Sequence, residues 1–324
     1  MEKRRILFLT VLLLCVLHAQ AQWDAPFSQF WMVKTYYNPS FAGEIDKIQA
    51  SGAYKYEWAG VTNAPHRVFI GADMPVEFLG LRHGVGLVTH SHITGNERNN
   101  AFGAQYTLKI KAGKGMFNIG VQAAMLDLNF DAASLRLWAD STKNNQKTIK
   151  FNPTDKKTID INAGISWTSK NFFAGVGAMH LNQPDYYSVG DTIFTANTDS
   201  TLSRIPLSYN FMAGYNIRAL HPLIEIQPMF FAQTSDFSKI QVQAALRAVY
   251  NKKYSVGASW RGKWGYSFFA GAVIEDVEVG YAYDLHTSGI GKESGGSHEV
   301  SIRYRFPIDL FQPKPMPHKS IRLL

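Results

Sequence analysis

The sequence of 324 residues predicts an all-β protein, an up-and-down antiparallel β-barrel of the outer-membrane type with about 14 strands. Apolar and polar residues alternate with a period of two from about residue 50 to residue 306. Many alternating segments are about 9 to 11 residues long, which suits a tilted membrane-spanning strand better than a globular strand of about 5 to 6. Their polar faces carry Lys, Arg and Glu, which the core of a soluble sandwich would not tolerate unpaired.

The chain begins with features of a cleaved signal peptide. A basic stretch, Met1–Arg5, precedes the continuous apolar run Ile6–Leu17, which is too short to span a bilayer as a helix. Ala19 and Ala21 then form a small-residue cleavage site, so we assign residues 1–21 to the signal peptide. A lipoprotein signal using Cys15 is the alternative, but Leu14 before it is larger than lipid attachment favours.

Composition excludes several classes of site. Cys15 is the only cysteine and leaves with the signal peptide, so disulfides, Cys-bound metals and Cys nucleophiles are not expected in the mature chain. The formal charge of +8 falls to +6 once Lys3, Arg4 and Arg5 are removed together with Glu2. We expect this mildly basic surface to favour outer-membrane lipid headgroups and not nucleic acid.

An aromatic-rich segment, residues 22–47, precedes the first strand. Asn38 and Pro39 are expected to end an extended stretch, and Gly43 to permit a turn into the barrel. The aromatic side chains need cover, so the segment either forms a partner-facing platform at the periplasmic mouth or is a plug that only stabilises the barrel. The candidate partner-binding residues are Phe27, Gln29, Phe30, Trp31, Tyr36, Tyr37, Asn38, Pro39, Phe41 and Gly43.

The barrel is assigned to residues 48–306. The predicted strands lie at 48–58, 66–74, 83–92, 99–111, 116–126, 157–167, 171–181, 205–217, 221–231, 239–250, 253–261, 264–274, 276–285 and 298–306. In the last of them, Val300, Ile302, Tyr304 and Phe306 share the outer face, opposite Glu299, Ser301, Arg303 and Arg305. Glycines recur inside the strands, as expected for bends in a curved sheet. The proline-rich residues 307–324 are read as a periplasmic tail.

Three long connections set the predicted orientation. Residues 127–156, 182–204 and 286–297 each join an odd-numbered strand to the next even-numbered one. Outer-membrane barrels have short periplasmic turns and long outer loops. The pattern therefore predicts both chain ends on the periplasmic side.

No catalytic, cofactor or metal site is predicted, and the protein is not expected to be an enzyme. Gly257–Lys263 has the spacing of a phosphate loop but lacks the following Ser or Thr and helix. His90 and His92 share a strand face, with no obvious third metal ligand. Charged residues on the inner faces either line a pore or pair and fill the lumen, and their mixed signs favour the filled interpretation.

The motif from Ala25 to Gly43, followed in order by further short motifs as far as Ser297–Glu299, resembles the PorP/SprF family of type IX secretion system membrane proteins. The run from Ala25 to Gly43 is similar to the family's N-terminal signature, with one residue missing after Pro26 and Ser40 in place of the usual Ala. The similarity continues over nearly the whole mature chain. It includes Tyr56–Gly60 with Ala64–Pro65, Asn171–Gly175 with His180–Pro184, Ala213–Tyr215, Gly280–Asp284 and Ser297–Glu299.

The resemblance implies an outer-membrane component of the type IX secretion and gliding machinery in a Gram-negative bacterium. It implies four kinds of partner: the C-terminal domain of a secreted adhesin, a periplasmic peptidoglycan-binding lipoprotein, other type IX secretion components and outer-membrane lipid. A porin-like passive channel for small solutes is the alternative function. A soluble β-protein of the envelope is a third possibility.

Overall fold

The computed structural model describes Asp24 and residues 26–130, 154–185, 204–218 and 221–307. The predicted signal peptide, its cleavage site and Cys15 lie outside these residues. So do residues 308–324 of the predicted tail and most of the connections 127–156 and 182–204.

Fourteen antiparallel strands form a closed barrel, as the sequence predicts. Each strand pairs with its neighbours along the chain, and pairing of the first strand with the last, from Lys47 opposite Pro307 to Tyr56 opposite His298, closes the sheet. The strands are β1 (Lys47–Tyr56), β2 (His66–Phe78), β3 (Leu81–Thr94), β4 (Glu97–Ala112), β5 (Gly115–Phe130), β6 (Thr154–Ser169), β7 (Phe172–Met179), β8 (Ser208–Tyr215, continued by Ile217–Arg218), β9 (Ile224–Thr234), β10 (Gln241–Tyr250), β11 (Tyr254–Arg261), β12 (Gly265–Ile274), β13 (Val277–His286) and β14 (Ser297–Pro307).

The predicted inner and outer faces are confirmed. In β1, Tyr54 is 45% exposed on the outside, whereas Lys55 beside it is 1% exposed inside. In β14, Val300, Ile302 and Phe306 are exposed, and Glu299, Ser301 and Arg303 are buried. Because side chains alternate across a strand, one register places an apolar band outside and polar groups inside.

Several strands are longer than predicted. β4, β5 and β6 each have 16 residues. Two-residue turns at both ends explain the extension of β4, because such a hairpin lets pairing continue to its tip, whereas β5 and β6 extend mainly by pairing with each other towards the long connection between them. Gly113, which starts the β4–β5 turn, has the positive φ of 57° that such a turn favours.

The two ends of the barrel differ in their connections. Each even-numbered strand is joined to the next odd-numbered one by a short turn, and β1 begins and β14 ends at this same end. We call it the turn end and the opposite end the loop end. The loop end carries the longer connections, although its β3–β4 turn has only two residues. Short turns are typical of the periplasmic side, so we take the turn end as periplasmic.

The lumen contains the N-terminal segment. Residues 26–43, which we call the luminal plug, contact strands around the whole barrel and form its main apolar core with residues of the wall. No helix among the described residues is long and apolar enough to cross a membrane.

Candidate functional site

The luminal plug is a series of short helical turns. Phe30–Met32 forms a 3-10 turn, Lys34–Tyr37 a single α-turn and Pro39–Phe41 a second 3-10 turn. The expectation of an extended stretch before Asn38 is therefore wrong. Turns satisfy backbone groups locally, for example through the Tyr36 amide donating to the Val33 carbonyl at 2.9 Å, and a buried segment needs such partners.

The expected turn residues do take special positions. Asn38 caps the second 3-10 turn by accepting a 2.9 Å hydrogen bond from the Ser40 amide, and Pro39 occupies the first position of that turn. Gly43 has φ +64° and a Cβ there would meet the backbone of Met74 and Gly84. The chain therefore turns out of the lumen at Gly43 only because this residue lacks a side chain.

The plug spans the barrel from one end to the other. Asp24 lies beside His180, which follows β7 at the loop end. Gly43 lies beside Asp73 and Gly84, close to the β2–β3 turn at the turn end. Asp24, the first described residue, is thus at the loop end, so the expectation that the segment before β1 stays on the periplasmic side is wrong for this residue. The reason is that the segment threads through the lumen before β1 begins.

The predicted partner-binding residues are enclosed by the barrel. All of them are buried except Tyr36, which is partly buried, and Phe30, Tyr37 and Asn38 are fully covered. In this conformation they contact the wall and offer no surface to another protein. Their role in binding a partner stays a prediction.

A buried charge cluster near the loop end holds the beginning of the plug. Lys55 forms ion pairs with Asp284 at 2.7 Å and Glu299 at 3.6 Å. The Ser28 hydroxyl donates to Asp284 at 2.6 Å and accepts from Lys55 at 2.7 Å. Glu299 accepts the amide hydrogens of Ser28 at 2.5 Å and Gln29 at 2.8 Å. Both carboxylates are thus compensated by wall and plug together.

A second charge cluster lies nearer the turn end. Glu278 pairs with Arg247 at 2.8 Å, with Arg303 at 3.3 Å and with Arg305 at 2.6 Å. Arg303 also donates to the Trp31 carbonyl at 2.6 Å, which connects the cluster to the plug. The prediction that inward charges pair and fill the lumen is confirmed for these groups.

Neutral side chains complete the contacts around the circumference. Gln105 and Thr107 of β4 donate to the carbonyls of Thr35 at 2.8 Å and Pro39 at 2.7 Å. On the opposite side of the barrel, Gln243 of β10 donates to the Ser28 carbonyl at 2.7 Å. Polar groups of the wall therefore satisfy plug carbonyls that would otherwise be buried without partners.

Aromatic rings pack across the same interface. Phe30 and Tyr37 of the plug contact Phe231 with ring centroids 5.3 and 4.7 Å apart, and Trp31 contacts Phe269 at 4.9 Å. Such pairs each contribute about 0.5–1.5 kcal/mol beyond the area they bury. The wall is thus apolar where the plug presents its rings and polar or charged where it presents backbone groups.

Two wall glycines permit the close approach of the plug backbone. A Cβ at Gly84 would overlap the Ala42 carbonyl, and one at Gly120 would overlap the Ser40 amide nitrogen. Glycines such as Gly120 were expected to mark bends of the sheet. Periodicity in one strand cannot distinguish a bend from contact with a segment distant in sequence, which is why this role was missed.

A histidine joins the plug entrance to the wall at the loop end. His180 lies 2.9 Å from Asp160 and 3.3 Å from Asp24. Burial lowers the pKa of His180, but the negative charge of Asp24 and hydrogen bonds to both carboxylates outweigh it and raise the pKa to about 10. His180 is therefore a cation at neutral pH, which explains how Asp24 can be buried as a carboxylate.

The family model for the type IX secretion system membrane protein PorP/SprF matches residues 19–304. The chain belongs to the PorP/SprF family. Family and fold together establish an outer-membrane component of the type IX secretion system, with other components of that system as its partners. The chain is therefore an outer-membrane protein, and the third alternative, a soluble β-protein of the envelope, is wrong.

Solved outer-membrane barrels are similar to this PorP/SprF protein at low sequence identity. Omp33 of Acinetobacter baumannii is 10% identical with a TM-score of 0.46, covering 82% of this chain and 100% of that chain. The toluene transporter TodX of P. putida is 10% identical with a TM-score of 0.45, covering 84% and 92%. No curated protein matches the chain significantly.

The motif with phosphate-loop spacing and the histidine pair both lie in ordinary structural environments. Gly257 lies within β11, and residues 262–264 form the turn to β12, with no helix following. His90 packs edge-on against Tyr36, while His92 contacts the Thr94 hydroxyl at 2.7 Å. Among the described residues, no group of three or more His, Cys, Asp or Glu side chains is arranged to hold a metal ion.

Replacing Lys55 with Met should strongly destabilise the barrel. The change leaves Asp284 and Glu299 without their shared cation, and breaking such a buried pair costs about 3–5 kcal/mol. Lys47→Met is the matched control, because the pair of Lys47 with Asp276 is about 40% exposed and should contribute less than about 1 kcal/mol. Urea unfolding in detergent measures both. Equal effects of the two substitutions would contradict the role of Lys55.

The His180 contact predicts a specific pH dependence. Because folding raises the pKa of His180 from 6.5 to about 10, its stabilisation is complete below pH 6.5 and is lost as pH rises towards 10. Wild type should lose free energy of unfolding over this interval, by up to about 1.4 kcal/mol per pH unit. His180→Asn should show a flatter profile in the same titration. Parallel profiles would refute the contact.

Proposed function

We propose that this PorP/SprF protein is a closed, non-enzymatic anchor that handles export or surface retention of large adhesins. In this proposal an adhesin's C-terminal domain engages the loop end. The turn end couples the barrel to a periplasmic peptidoglycan-binding lipoprotein. Family membership supports the secretion role, and the closed lumen supports anchoring in preference to conduction.

The observation that carries the proposal is the filled lumen. The plug contacts β1, β2, β4, β6, β8, β10, β13 and β14, and hydrogen bonds to buried charged side chains of the wall hold it near both ends. A chain passing through this barrel would have to displace every one of these contacts. The surfaces left for partners are the two ends.

The alternative of a porin-like channel is poorly supported by this arrangement. A channel needs inner side chains that face water, as in barrels with a water-filled lumen. Here Lys55, Asp284 and Glu299 are each nearly inaccessible and face one another or the plug. The charges suited to line a pore are used to hold the plug.

A mild-detergent pull-down of the tagged protein from its native outer membranes tests the proposed function. Mass spectrometry should recover both a peptidoglycan-binding lipoprotein and a large secreted adhesin. An unrelated tagged barrel from the same membranes is the control for nonspecific recovery. A clean barrel without either partner would contradict the anchoring role.

A further inference from the structure

The turn end of the barrel has an uneven charge distribution. Four consecutive turns, β4–β5, β6–β7, β8–β9 and β10–β11, carry basic residues, and no Asp or Glu occurs in residues 111–116, 168–173, 216–223 or 250–254. These turns are neighbours around the barrel and cover about half of its rim. We call their exposed basic residues the basic arc: Lys111, Lys114, Lys170, Arg218, Lys252 and Lys253.

The rest of the same rim has mixed and paired charges. Arg82 near the β2–β3 turn pairs with Asp46 at 2.5 Å, and Asp276 in the β12–β13 turn pairs with Lys47 at 2.9 Å. In contrast, no residue of the basic arc forms an ion pair with any described residue within 4.0 Å. The basic side chains of this sector therefore have no ion-pair partner within the described part of the chain.

Glu44 and Glu225 lie near the basic arc, and neither forms an ion pair with it within 4.0 Å, since Glu44 pairs with Lys34. Glu225 lies opposite Arg218 in the β8–β9 ladder and accepts a 2.8 Å hydrogen bond from Asn216, which leaves its negative charge in place. Six basic side chains of the arc thus stand against two carboxylates, and the sector keeps a net positive charge. The sequence 308–324 contains one acidic residue, Asp309, against three basic ones, Lys314, Lys319 and Arg322. The side chains of residues 308–324 therefore carry a net positive charge, as the basic arc does, and this segment does not complement the arc.

Two hollows border the basic arc on its inner side. One of about 550 Å³ is lined by Lys111, Lys114 and Lys170 together with Glu44. Its neighbour of about 370 Å³ extends inward from Lys170 to Trp31, Phe173 and Arg305. The pair combines basic side chains at the opening with aromatic groups at depth.

We infer that the basic arc and its two hollows bind an acidic segment of a periplasmic protein, with carboxylates on the arc and apolar side chains in the hollows. Opposite charge steers such a partner to one sector of the rim. Lipid headgroups fit the arrangement less well, because lipid surrounds the whole circumference while the charge covers half of it. The hollows, moreover, lie inside the rim, where bilayer lipid does not reach.

A direct binding assay tests this inference on the full-length protein in phosphatidylcholine nanodiscs. The probe is a fluorescein-labelled peptide of repeating Glu-Ala-Phe units, compared with a Lys-Ala-Phe peptide. The acidic peptide should bind, with an affinity that falls as salt is added, and the basic one should not. Lys114→Gln combined with Lys170→Gln should weaken binding about tenfold, since two exposed charge contacts are lost.

A matched double variant controls for net charge. Lys263 and Lys292 are exposed at the loop end, so Lys263→Gln combined with Lys292→Gln removes the same charge from the opposite face. This variant should bind the acidic peptide as wild type does. Equal weakening in both double variants would overturn the inference. So would an arc variant that binds the peptide normally in phosphatidylcholine nanodiscs but carries less phosphatidylglycerol than wild type after purification from membranes containing that lipid, since that outcome assigns the arc to lipid.

This inference rests on the proposed function, because it assigns a docking site to the periplasmic partner that the proposed function requires. The pull-down separates the two claims when it is repeated with both double variants. If wild type recovers no lipoprotein, the proposed function fails regardless of the peptide result. If wild type and the arc variant recover it equally, the proposed function stands and the basic arc is not its docking site.

Discussion

Every charge in this lumen needs a partner, and the structure depends on the luminal plug to supply part of that compensation. Burying ions costs several kcal/mol each unless opposite charges and hydrogen bonds surround them. Asp284 and Glu299 meet Lys55 from the wall, but the Ser28 hydroxyl and the Ser28 and Gln29 amides take up their remaining acceptor positions. Wall and plug are therefore complementary parts of one buried polar network.

That complementarity explains why an aromatic-rich segment precedes the barrel. The wall alone would be a polar channel, and the plug alone would expose its rings to water. Together they place Phe30 and Trp31 against Phe231 and Phe269, while polar side chains take the plug's backbone groups. The luminal plug thus fills the barrel, and the loop end and the turn end are left for partners of the secretion machinery.

Much of the fold could be predicted from the sequence because barrel strands are governed by a local rule. Alternation along β1, β4, β10 and β14 assigns each side chain to lipid or lumen without knowledge of its neighbours. Strand ends are predicted less well, since pairing continues past the apolar band, either to a two-residue turn as in β4 or along a neighbouring strand as between β5 and β6. The short turns and long loops also indicated the orientation of the barrel.

The position of residues 26–43 could not be predicted in this way. Their contacts join Ser28 to Asp284 and Asn38 to Ile165, which are far apart in sequence. The aromatic residues indicated that the segment needs cover, but either a plug or a partner could have provided it. Alternation places Lys55 and the other inward charges in the lumen. Their partners could not be predicted, because they lie on other strands that become neighbours only when the barrel closes. His180 was noted only within a family motif, because its partners Asp24 and Asp160 become neighbours only after the plug is in place.

Single-channel recording in planar bilayers tests the central claim that the plug closes the lumen. Wild type should show no steady conductance. Gly84→Ala combined with Gly120→Ala should open conducting states, because the added methyl groups overlap the plug backbone. Gly52→Ala adds a methyl on the outer face of β1 and should stay closed. Steady ohmic conductance of wild type, equal to that of the double variant, would show that the segment does not seal the barrel and would contradict the account.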